Sequence, residues 1–281
     1  MSRLSFALVL LVGLLAGGLG SLVLRSSPND AQVQTMITDA LAANKPAAVA
    51  DLDPAKVNKL VEDYLMSDPS ILQRMNDKLD AAKKVADRQS MKDQLAAHST
   101  EIYQSADNVI LGNPKGDVTL VEMFDYNCVY CRQALPDMAE LMQADPNLKV
   151  ILKQFPILSS GSVDAAKVAV LVGENPKIDY WAFHQKLFSL RAGEVGADQA
   201  LQVAEQFGGN RVELMLDMNG KVPSAAIQQS YDLAKALNIG GTPTYILGDE
   251  MINGAVPIDQ LKTKIANLRK CGSTDCGATA G

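Results

Sequence analysis

Four consecutive residues, Cys128-Val129-Tyr130-Cys131, constrain this chain more than any other feature. They follow an apolar run, Val118 to Phe124, that reads as a buried strand. They precede Arg132 to Ala144, whose pattern reads as a helix. The cysteine pair therefore belongs to a strand-to-helix turn. A helix start offers free N–H groups and the positive end of the backbone dipole. Both favour thiolate over thiol, and the thiolate is the nucleophile. Two intervening residues bring the second sulfur within reach of the first, so the pair can cycle between dithiol and disulfide. The chemistry predicted is thiol–disulfide exchange.

A CxxC also builds half of many zinc sites, here with Cys271 and Cys276 as the other half. Zinc pairs usually occupy short turns between strands, not the start of a sheet-packed helix. The tail holding Cys271 and Cys276, rich in Gly, Ser and Thr, is moreover expected to be poorly ordered. Three features favour exchange. Pro136 falls inside the predicted helix, at a cost of about 3 kcal/mol, yet Met138, Leu141 and Met142 continue the helical spacing. Gly241-Thr242-Pro243-Thr244 precedes the β run Tyr245-Ile246-Leu247, which makes Thr242-Pro243 a candidate cis step. Glu122 interrupts the apolar strand six residues before Cys128. A buried carboxylate is costly unless paired or neutral. It either accepts the proton leaving the second thiol or is a strand-edge residue paired with Lys153, and the sequence leaves both open.

Together these residues resemble the thioredoxin superfamily. Within it, Val121-Glu122-Met123-Phe124-Asp125-Tyr126 and Lys153-Gln154-Phe155-Pro156 resemble the DsbA family, and the whole chain is similar to that family's suppressor of copper sensitivity protein C (ScsC) group. The resemblance is specific over about Val109 to Ala266 and weaker over Asp53 to Ser105. It implies an α/β thioredoxin fold with a helical insertion, preceded by an N-terminal helical extension. It implies Cys128 as the attacking cysteine, Cys131 as the resolving one, Pro243 as the cis-proline facing them, Thr242 before it, and Glu122 as the buried acid. Strongly oxidising members carry His where this chain has Tyr130. Tyr there, with Thr before the cis-proline, resembles disulfide isomerases instead. The partners implied are cysteine-containing exported proteins and a membrane redox partner. The alternatives are a dithiol oxidase of the DsbA type, or a copper-tolerance protein binding Cu(I) through the soft sulfurs of Cys128 and Cys131. No cofactor beyond the redox-active disulfide is expected.

At 281 residues the chain has room for one catalytic domain and an extension, and 47% hydrophobic content supports a core. A net charge of −6, with no basic face in view, excludes nucleic acid as a partner. Arg3 precedes an apolar run from Phe6 to Leu24, near the roughly 20 residues needed to span a bilayer. Residues 1–25 are read as a signal peptide or a retained anchor, the anchor favoured, and either delivers the rest to the periplasm. Residues 26–105 are read as the extension. It begins with a spacer, and helices then start at Asp53-Pro54 and Asp68-Pro69. The narrow stripe Leu72, Met75, Leu79, Ala82 and Ala86 suits a seam between helices, and so a homo-oligomer, with a trimer favoured. Residues 106–270 are the catalytic domain, with a helical insertion over Gly161 to Leu237, a hairpin around Gly248-Asp249 and a closing helix over Ile258 to Leu268. Residues 271–281 are read as a flexible tail, with Cys271 and Cys276 joined in a small surface disulfide. Of the two histidines, His98 is expected in solvent and His184 packed in a helix beside Trp181 and Phe183.

Overall fold

The computed structural model describes residues 53–105 and 108–277, with isolated helical positions between 31 and 39. The expected signal or anchor, most of the spacer and residues 278–281 lie outside the described residues. Two compact units divide the chain, Met1–Met75 and Asn76–Gly281.

In the first unit, helix α1 (Pro54–Ser67) opens with a proline at its first position, and the Asp53 carboxylate accepts the Ala55 N–H. None of its residues is buried. Helix α2 (Ser70–Ala97) begins in this unit, where Asp68 accepts the Ser70 N–H, and runs on into the second.

The second unit is built on a five-stranded sheet: β1 (Val109–Gly112), β2 (Val118–Phe124), β3 (Leu148–Gln154), β4 (Thr244–Leu247) and β5 (Glu250–Asn253), in the order β1-β3-β2-β4-β5. Strands β2 and β3 pair in parallel across α4 (Val129–Ala144), and the remaining pairs are antiparallel. A short helix α3 (Ser99–Tyr103) precedes the sheet. The insertion between β3 and β4 holds α5 (Ser160–Glu174), α6 (Tyr180–Phe188), α7 (Ala197–Gln206), α8 (Arg211–Asp217) and α9 (Lys221–Ala236). Helix α10 (Ile258–Cys271) closes the unit.

Side chains on β2 alternate between two cores, as the pleat requires. Leu120 and Phe124 face one core, shared with Met138 and Leu141 of α4, Leu261 and Ile265 of α10, and the insertion. Val121 and Met123 face the other, shared with Leu233 of α9 and Leu237 just beyond its end. That second core also contains Leu95 from the end of α2 and Ile102 of α3. The boundary expected between residues 105 and 106 is thereby corrected: residues 76–105 belong with the catalytic unit, because Leu95 and Ile102 cover the sheet face that α4 leaves bare. The flexible-tail reading is corrected too, over 271–277. Asp249 in the β4–β5 turn accepts hydrogen bonds from the Ser273 hydroxyl (2.7 Å), the Thr274 N–H (2.9 Å) and the Thr274 hydroxyl (3.0 Å). Ser273 and Thr274 are buried, and Cys271 and Cys276 form the expected disulfide.

Candidate active site

Cys128 caps the N-terminus of α4. Its sulfur accepts the Cys131 backbone N–H at 3.4 Å, and its own N–H donates to the Asp125 carbonyl at 2.9 Å. Cys128 is 4% exposed and Cys131 1%; neither is in a disulfide. Pro136 lies within α4, which continues past it as expected. From across the sheet comes the loop before β4, where the Thr242-Pro243 bond is cis. When protonated, the Cys128 thiol donates to the Thr242 carbonyl at 3.2 Å. The Thr244 hydroxyl and the Gly254 N–H anchor that loop, donating to the Gly241 and Pro243 carbonyls at 2.8 Å each.

The two thiols are driven in opposite directions. Hydrogen bonding from the Cys131 thiol, then from the Thr242 hydroxyl and the first backbone N–H groups of α4, outweighs partial burial and lowers Cys128 to about 6. Burial first, then its bond to Cys128 and the nearby Glu122 charge, push Cys131 far above the ordinary thiol value. At neutral pH the first sulfur is an anion and the second keeps its proton. Glu122 is raised to about 8, by burial and by the charge of Cys128.

Of the two readings of Glu122, the strand-edge ion pair is the one the structure removes. Strand β2 is central, flanked by β3 and β4, and the register sets Glu122 beside Leu152 and Tyr245. Lys153 is aligned with Met123, whose side chain serves the other core. A lysine partner would also lower the carboxyl, not raise it.

Sequence reasoning passed over the turn that holds Cys128. The buried Asp125 carboxylate accepts N–H groups from Asn127 (2.8 Å), Ile157 (2.9 Å) and Leu158 (3.0 Å). Asn127 reaches the insertion: its Nδ2 donates to the Ser162 hydroxyl (3.0 Å) and the Val195 carbonyl (2.8 Å), and its Oδ1 accepts from Gly193 (2.9 Å) and Val195 (3.0 Å). The local signal was legible, since Asp-x-Asn is a side-chain-closed turn; the distant partners were not. Beneath the turn, the Tyr126 hydroxyl meets the Tyr180 hydroxyl (3.2 Å) and His184 Nδ1 (3.1 Å), and Gln154 Nε2 donates to Tyr180 (2.9 Å). Burial lowers His184 to about 3, so it is a neutral packed residue, as expected. Among the described residues no cluster of three or more His, Cys, Asp or Glu is placed to hold a metal ion.

A CxxC at a helix start beside a cis-proline loop, on a sheet in which β2 and β3 are parallel and β4 and β5 antiparallel, defines a thioredoxin-fold protein with redox-active thiols. The chain belongs to the DsbA-like family: the DSBA-like thioredoxin domain matches residues 119–266, more than half its length. A thioredoxin-like oxidoreductase from Silicibacter pomeroyi is 36% identical, with a TM-score of 0.57, over 61% of this chain and 98% of that one. The catalytic domain of Proteus mirabilis ScsC is 26% identical, with a TM-score of 0.55, over 61% and 94%. Disulfide bond formation protein D of Bacillus subtilis is 26% identical over 165 residues, 56% of this chain and 74% of that protein. The first curated relatives, Na(+)/H(+) antiporters NhaA 1 and NhaA 3 of two Salinispora species, are spanned over only 24% of their own length.

Proposed function

We propose that the chain is a periplasmic thiol–disulfide oxidoreductase whose Cys128 attacks disulfides of exported proteins and whose Cys131 resolves the mixed disulfide, working as an isomerase or reductase. The observation carrying this reading is the different setting of the two thiols: Cys128 caps the start of α4 and accepts the Cys131 N–H, which lowers it to about 6, whereas Cys131 is enclosed and held protonated. A nucleophile and a resolving thiol need that order. Glu122, poised near neutrality, is the acceptor for the proton that Cys131 must lose when it attacks. Thr242 and Pro243 form the edge along which a client strand would lie beside Cys128.

Isomerase over oxidase rests on two features. A value of about 6 lies well above that of the strong oxidant DsbA, at roughly 3.5, and nearer that of thioredoxin, at roughly 7. Tyr130, at the position where strong oxidants carry His, is 63% exposed and adds no positive charge. The extension supports self-association: Leu60, Tyr64 and Met66 of α1 and Leu72, Met75 and Leu79 of α2 are all exposed apolar side chains. Refolding a scrambled disulfide substrate in a glutathione buffer tests the reading. The isomerase recovers native pairing with Cys128 intact and fails without it; catalysis of dithiol oxidation alone would replace it with the oxidase reading, and no Cys128-dependent exchange would end both.

A further inference from the structure

Arg132 is the first residue after the cysteine pair, and its placement is costly in three ways. It lies in the first turn of α4, where a cation opposes the helix dipole. Its side chain turns back toward the helix start, so that Nη2 donates to the Tyr126 carbonyl at 3.1 Å and the guanidinium carbon lies 5.6 Å from the centre of the Phe188 ring. Its Nε and Nη1 atoms are buried with no hydrogen-bond partner. Burial of unpartnered donors is destabilising, and one carbonyl and one ring do not balance it.

A negative charge close by would. Burial lowers Arg132, while the charges of Cys128 and Cys131 act in the other direction and favour its cationic form. Glu122 opposes the Cys128 anion from the sheet side; Arg132 is the cation on the helix side. That anion exists only in the reduced protein, since sulfurs joined in a disulfide carry no charge.

We propose that Arg132 is a positioning residue for the redox pair: its guanidinium, with Nε and Nη1 buried and unpartnered, is better compensated when Cys128 is a thiolate, so it favours the reduced state and makes the Cys128–Cys131 disulfide more oxidising. The inference rests on the exchange reading above. In the exchange with glutathione, the disulfide takes two electrons from two glutathione thiols. One glutathione disulfide forms, Cys128 is left as a thiolate, Cys131 as a thiol, and one proton is released. Arg132 also secures the carbonyl of Tyr126, two residues before Cys128, so that charge and backbone support come from one side chain.

The test is the equilibrium constant with glutathione, measured together with the thiolate absorbance of Cys128 against pH, in the parent and in Arg132→Gln, Arg132→Met and Arg132→Lys. In Arg132→Gln the constant for forming reduced protein falls by about threefold or more, ~14 mV by the two-electron conversion, and the thiolate midpoint rises. Arg132→Lys restores most of both. Arg132→Met keeps the packing of the stem without the charge and serves if the Gln variant does not fold. Neutral variants with the parent's constant and midpoint would overturn the proposal, leaving Arg132 as an anchor for Tyr126; so would a Lys variant as far displaced as Gln. A parent protein whose Cys128 titrates near the free-thiol value would instead remove the exchange reading itself.

Discussion

Two sulfurs three residues apart titrate on opposite sides of neutrality because one terminates a helix and the other is enclosed by it. Cys128 takes the free N–H groups of α4; Cys131, one turn in, has burial and the Glu122 charge against its ionisation. Cys128→Ser is therefore expected to abolish exchange, whereas Cys131→Ala leaves an attacking thiolate with nothing to release it and accumulates mixed disulfides, visible on non-reducing gels. Equal residual turnover in the two variants would refute the division of roles. Glu122 and Cys128 also make opposite pH contributions to stability. Glu122 is raised from an ordinary 4.5 to about 8, so its contribution is complete below pH 4.5 and is lost as the pH rises through 8. Cys128 in the reduced protein is lowered from about 9 to about 6; its contribution is present above pH 9 and lost as the pH falls through 6. Glu122→Gln, neutral throughout, should gain thermal stability over the parent progressively between pH 4.5 and 8, while Cys131 loses its proton acceptor and resolution slows. A melting-temperature difference that stays flat across that interval would mean that Glu122 ionises without penalty.

At the scale of elements, what could be read from the sequence was what short-range chemistry decides. Strands β2 and β3 are short, mostly apolar runs, the hairpin turns at Gly248-Asp249, and Asp53-Pro54 starts a helix where its cap predicts. The end of α2 and the C-terminal loop were misread for the same physical reason: each is polar by composition and owes its order to a distant partner. Leu95 is one of several apolar residues in a largely charged helix, and it is the bare face of β2 that makes it core. Ser273 and Thr274 look like tail until Asp249, some two dozen residues earlier, accepts three hydrogen bonds from them. Arg88 of α2 adds an ion pair to Asp275 at 3.1 Å. The disulfide closes this loop at a sequence separation of 5. Loop-closure entropy for so short a span amounts to about 2 kcal/mol. Replacing Cys271 and Cys276 with Ser should lower the urea unfolding free energy by about that amount, with the Cys128 thiolate midpoint unchanged. If stability is unaltered, the Asp249 bonds hold the loop unaided.

For the whole molecule, the candidate site and the exposed apolar side chains of α1 fall in different compact units. Every residue of the candidate site lies beyond Asn76, in a unit with its own sheet and two cores, whereas α1 buries none of its apolar side chains. Isomerisation needs a thiol that attacks, stays bound while the client rearranges, and is then released. Several sites held around one client raise the effective concentration for that sequence; simple dithiol exchange needs only one. Deleting residues 26–75 should therefore leave a folded monomer that still exchanges with small dithiols but no longer rescues scrambled disulfides. The cut must fall at that boundary. A truncation beginning at residue 106 strips Leu95 and Ile102 from the second core. At about 1.5–3 kcal/mol for each fully buried side chain, it should unfold more readily and expose Val121 and Met123. Sedimentation and unfolding curves of the parent protein and both truncations separate these outcomes. If the parent and the 26–75 deletion sediment alike as monomers and isomerise equally, the exposed α1 and α2 side chains serve no assembly, and the activity belongs to the catalytic unit alone.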